Sequence, residues 1–103
     1  MTKYQIECNY RLALKRADEL SETARKIKQI SENVNGDIAS GLNADWHGDS
    51  ANAYIRKLDL FSAKVEAEAK RLENIADTIR RVAERTYNTE MKSLEISRKR
   101  TYK

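Results

Sequence analysis

Residues 43–51 read Asn-Ala-Asp-Trp-His-Gly-Asp-Ser-Ala and hold the only tryptophan of the chain, Trp46, two positions before Gly48. The 103 residues include no proline and only three glycines, Gly36, Gly41 and Gly48, so little else in the sequence reads as turn. The chain therefore reverses near its midpoint. Trp46 is large enough to roof the end of a hairpin, its ring lying against the last turn of one helix and the first turn of the next. Gly48 gives the backbone the freedom to reverse without a side-chain clash.

Working back from this bend, Gly41 followed by Leu42 reads as a helix stop, and Gly36 should weaken the helix locally. An apolar seam runs through Ile6, Tyr10, Ala13, Ala17, Leu20, Ala24, Ile27, Ser31, Val34 and Ile38, alternating steps of four and three. That period keeps one seam against a partner along a left-handed supercoil. Thr2 and Gln5 stand at capping-box spacing, with Met1 and Ile6 placed as a hydrophobic staple.

Working forward, Asp49 or Ser50 serves as N-cap. A second seam then runs Ala51, Tyr54, Leu58, Phe61, Val65, Glu68, Leu72, Ile75, Ile79, Val82, Thr86, with Glu68 as its interior breach. Glu68 reads as a wet seam edge, and as a single polar seam residue it could also decide the pairing. Beyond Val82 the apolar positions shift to Ala83, Tyr87, Met91 and Leu94.

The fold this predicts is all-α, an antiparallel helix-turn-helix hairpin over 1–95. Helix one spans about 3–41, the turn 42–49 and helix two about 50–95, followed by a basic flexible tail at 96–103. Helix two should outrun helix one by about two turns, starting near Tyr87. Further apolar residues flank both seams: Leu14, Ile30 and Ala39 on one side, Ile55, Ala69, Ala76 and Ala83 on the other. A stripe this broad suits a helix with two neighbours, so the hairpin should pair into a four-helix bundle. Its dimer seam would be built on Ile6, Tyr10, Leu20, Ile27, Val34, Leu58, Phe61, Val65, Leu72, Ile75 and Ile79. A homodimer is the default by symmetry, with a related hairpin as the alternative.

Charge and composition narrow the function. The net charge of +4 resides in residues 91–103, where five basic side chains face Glu95 alone, while 1–48 and 49–90 are each neutral. A nucleic-acid face would need a basic stripe on the folded part, and with the charge excess confined to the tail nucleic acid is not expected as a partner. Cys8 is alone, which rules out an internal disulfide. No apolar run approaches a membrane span, and the N-terminus lacks the unbroken apolar stretch of a signal peptide. His47 has no companions at metal-ligand spacing, no phosphate loop is present, and acids are spread as surface partners such as Glu66 with Lys70. Neither a catalytic site nor a cofactor is expected. An intracellular coiled-coil adaptor, or a hairpin that binds nucleic acid through its basic tail, is the alternative reading.

In its length, its two amphipathic helices, Trp46-x-Gly48 in the bend, and the small Ala51 and aromatic Tyr54 that open helix two, the chain resembles the Trp-x-Gly (WXG, Esx-like) small proteins of type VII secretion systems in Gram-positive bacteria. The resemblance covers nearly the whole chain. It implies a dimeric bundle that waits in the cytoplasm and is secreted without a cleaved signal peptide, either for itself or as the partner of a larger toxin with a helical N-terminal domain. It also implies engagement of the secretion ATPase through a signal of form Tyr-x-x-x-Asp/Glu. Here Tyr87 is followed four residues later by Met91, while Glu90 lies three after Tyr87 and four after Thr86. The signal is therefore assigned to Thr86, Tyr87 and Glu90. The Trp46–Gly48 end is the further element that could recruit machinery.

Overall fold

A computed structural model describes residues 1–38 and 48–101, with side chains at 1–36 and 48–100. The described residues are helical, without strands. They form α1 (Lys3–Asn33), a π-helical turn (Val34–Ile38) and α2 (Asp49–Thr101). The bend at 42–47 with Trp46, the stop at Gly41 and Leu42, and Ala39 lie outside the described residues.

The capping box at the start of α1 is formed. The Thr2 amide donates to Gln5 Oε1 at 2.9 Å, and the Gln5 amide donates to Thr2 Oγ1 at 3.2 Å. Two otherwise orphaned amides are thus satisfied. Met1 remains largely exposed, with Asn9 Nδ2 4.0 Å from its sulfur, in place of the expected staple on Ile6. At the other end α1 loosens into the π turn containing Gly36, a residue that weakly supports an α-helix.

Gly48 has φ of +108°, a conformation that disfavours any side chain. Its carbonyl accepts the Asn52 amide at 3.0 Å, so Gly48 itself takes the cap position of α2. Asp49 and Ser50, the expected caps, already lie within the helix.

The helices pack as two compact units, one of residues 1–20 with 74–103, the other of 21–73. Within each, α1 and α2 run antiparallel. In the second unit Ser21 meets Glu73 and Ser31 meets Ser62; in the first, Asp18 meets Arg80 and Tyr10 meets Tyr87.

The α1 seam is buried or half-buried at each described position from Ile6 to Val34. The α2 seam is not the expected one. Leu58, Val65, Leu72 and Ile79 are half-buried, but the alternate positions are Ile55, Ser62, Ala69, Ala76 and Ala83. Tyr54, Phe61, Glu68, Ile75, Val82 and Thr86 are exposed within the chain. The reason is size. Ala17, Ala24 and Ser31 recur every seven residues on α1, as Ser62, Ala69, Ala76 and Ala83 do on α2, and small side chains let the backbones come close. Ser31 and Ser62 show how close. Their hydroxyls pair with each other and each reaches the main-chain carbonyl of the opposite serine at 3.1 Å. Both serines are fully buried and satisfied, as buried hydroxyls must be.

The helical end of α2 also departs from expectation, since helix continues through residues assigned to a tail. Arg98, Lys99 and Arg100 lie in its last turn, where cations complement the helix dipole. The overhang begins later than Tyr87. Lys3 shares a surface groove with Met91, Leu94, Glu95 and Arg98.

Two measurements check this account. Ser62→Leu should lower stability by about 1–3 kcal/mol in urea unfolding, through overpacking of a contact that admits no larger side chain. Gly36→Ala, at a site with open space, should stabilise by about 0.5–1 kcal/mol, whereas Gly48→Ala should destabilise by about 1–3 kcal/mol because of its positive φ.

Candidate functional site: the open flank of α2 and the Tyr87 groove

The side chains displaced from the seam form the most distinctive surface of the molecule. Tyr54, Phe61, Ile75, Val82 and Ile96 fall on one row of α2 at multiples of seven residues, each 43–56% exposed. Glu68 and Thr89 fill the two remaining places, and Glu68 is tied to Arg71 at 3.3 Å. Single exposed apolar residues are ordinary; here each unit carries more than one on this row, Tyr54 and Phe61 in that of residues 21–73 and Ile75, Val82 and Ile96 in the other.

In the unit of residues 1–20 and 74–103, this flank opens into an apolar groove of about 360 Å³. Ile6, Asn9, Tyr10 and Ala13 line it from α1; Thr78, Ile79, Val82, Ala83, Thr86, Tyr87 and Glu90 line it from α2. All three residues assigned to an export signal therefore border one groove. Tyr87 is half-buried, with its ring centroid 4.7 Å from that of Tyr10 at an interplanar angle of 48°. Long helical side chains lean toward their own N-termini, which brings these two rings together from antiparallel helices. Glu90 is half-buried and Thr86 exposed. Gly48 is exposed, and its partner in the bend motif, Trp46, lies outside the described residues.

Ion pairs hold the outer surface and leave the open flank apolar. Arg16–Glu19, Arg25–Glu22 and Arg80–Asp77 are pairs three residues apart at 2.5–3.1 Å, and Arg80 also reaches Asp18 across the helices at 3.0 Å. Donation of a hydrogen bond to the Asp18 carboxylate holds the Arg80 guanidinium above its usual pKa, and the hydrogen bond that Glu22 accepts from Arg25 lowers the pKa of Glu22. Glu66 accepts from Ser31 Oγ at 3.3 Å. Among the described residues there is no group of three or more His, Cys, Asp or Glu able to hold a metal, and no helix long and apolar enough to cross a membrane.

The sequence carries the same pattern as a known family. The family model WXG100, proteins of 100 residues with WXG, matches residues 5–91. The chain belongs to the WXG100 family. Comparison with curated proteins and with solved structures gives no significant match. As a WXG100 protein it is a small helical protein associated with type VII secretion. Its Trp46-x-Gly48 signature stands just ahead of α2, whose open flank includes Phe61 and Ile75, two residues expected in the seam of a dimer, and leaves them exposed within the single chain. The signal that could have found it is the second heptad row of small residues, Ser62, Ala69, Ala76 and Ala83, facing equally small ones on α1.

Tyr10 and Tyr87 should behave as a coupled pair. A double-mutant cycle between Tyr10→Leu and Tyr87→Leu, read by chemical denaturation, should give a coupling of about 0.5–1.5 kcal/mol.

Proposed function

We infer that this WXG100 protein acts by binding. It buries the open flank of α2 against a companion helical hairpin to complete a four-helix bundle, and in that form it serves type VII secretion. The companion is a second copy, a related hairpin, or the helical N-terminal domain of a larger toxin that it helps carry to the secretion ATPase. Export without a cleaved signal peptide follows from the same family membership. The observation that carries this reading is the row Tyr54, Phe61, Ile75, Val82 and Ile96, large apolar side chains that the fold of the single chain leaves in water. The fully buried positions of the intrachain seam are, apart from Ile6, alanine and serine, and each buried methylene stabilises by only about 0.8 kcal/mol, so a lone chain gains little there. Covering the flank supplies what the seam lacks.

Thr86, Tyr87 and Glu90 would serve as the export signal at the rim of the adjoining groove. In this reading Tyr87 is presented on a rigid helix and held by Tyr10, an arrangement that lowers the entropy lost when the ATPase docks.

The test is the contrast between neighbouring residues. Phe61→Ser with Val82→Ser alters only exposed positions of the single chain. Its unfolding free energy as a monomer should change by less than about 0.5 kcal/mol per site, while pairing measured by light scattering and export into the medium are both lost. Export that continues at the wild-type level from a chain so altered would overturn the reading.

A further inference from the structure

Beside the apolar row of α2, three residues further on, runs a second row at seven-residue spacing: Lys57, Lys64, Arg71, Arg85, Lys92 and Lys99, broken only by Thr78. Positions three apart adjoin on a helix surface, so the two rows are neighbours along α2. In the unit of residues 21–73, Tyr54 and Phe61 stand beside Lys57, Lys64 and Arg71; in the other unit, Ile75, Val82 and Ile96 stand beside Arg85, Lys92 and Lys99. Every member of the basic row is exposed. Arg71 is engaged by Glu68 and Lys99 by Glu95; Lys57, Lys64, Arg85 and Lys92 have no carboxylate within ion-pair distance among the described residues.

We propose that this flank is built for a helical partner other than a second copy of the chain, one whose matching edge is a row of acidic side chains. The proposal rests on the docking role above and names its partner class. A contact over the apolar row places the basic row at its rim, where charges select partners and set orientation. A second copy has one short acidic row to answer it, on α2, and none on α1. Read at seven-residue spacing, none of the rows of α1 has a net negative charge; the row Gln5, Leu12, Glu19, Lys26 and Asn33 sets Lys26 against Glu19, and Glu19 is already tied to Arg16. On α2 the acidic row is Asp59, Glu66 and Glu73, and there Glu66 and Glu73 are hydrogen-bonded to Ser31 and Ser21 of α1. If two copies instead set α2 against α2, like charges meet, which is destabilising and disfavours self-pairing.

The full chain supplies its own probe. A variant carrying Lys26→Glu, Lys57→Glu, Lys64→Glu, Arg85→Glu and Lys92→Glu changes only exposed positions, and circular dichroism first checks that it keeps its helix. Mixed with the wild-type chain at about 0.1 M salt, it should form a one-to-one pair at least about tenfold tighter than the wild-type chain forms with itself, a preference that fades toward about 1 M. Equal affinities at both salts would overturn the acidic-partner assignment and leave the docking role standing. Adding Phe61→Ser and Val82→Ser to the wild-type partner should abolish the pair; a pair that persists would overturn the docking face itself. Should the probe not fold, the wild-type chain alone decides. Self-association that strengthens as salt screens the basic rows supports the assignment, and self-association that is indifferent to salt or weakens with it overturns it.

Discussion

The contact between Ser31 and Ser62 fixes how α1 and α2 pair within the unit of residues 21–73. Two hydroxyls that reach each other's main-chain carbonyls across the helix pair require the backbones to lie close together. Alanine fills most of the neighbouring seven-residue positions: Ala17 and Ala24 on α1, Ala69, Ala76 and Ala83 on α2. A tight seam of this kind gains specificity of register from its polar pair, and it gains rather little apolar burial.

The consequence is that the large side chains go elsewhere. Phe61 sits next to Ser62, Ile75 next to Ala76 and Val82 next to Ala83, and in each case the small residue faces α1 while the large one faces out. The single chain thus separates two tasks that most helices combine. Small residues set the distance and register of the helix pair, and large ones stay exposed. In the proposed pairing the large ones make a contact that the chain cannot make with itself, and the basic row that borders them gives it a sign of charge. The pairing of Tyr87 with Tyr10 belongs to the same economy of space: where aromatic residues do enter the seam, at the end away from the bend, the helices leave a groove beside them.

Membership of the WXG100 family gives this arrangement its setting in type VII secretion. Within it, the physical features particular to this chain are the alanine and serine residues buried in the seam, the exposed apolar residues of α2, and a Tyr87–Glu90 pair in which the acid follows its tyrosine by three residues instead of four.

The sequence by itself determined the helical class, the capping box at Thr2 and Gln5, and the heptad face of α1, because each depends on residues a few positions apart in the chain. Trp46 and Gly48, with the length, also sufficed to point to the family. Which row of α2 turns inward was decided only by the tertiary structure. Two rows with the same alternation of three and four share Leu58, Val65, Leu72 and Ile79, and hydrophobicity alone favours the one with Phe61 and Ile75. The choice falls the other way because packing is a property of two surfaces together. Opposite Ala17, Ala24 and Ser31 there is room for a methyl or a hydroxyl, and none for a ring.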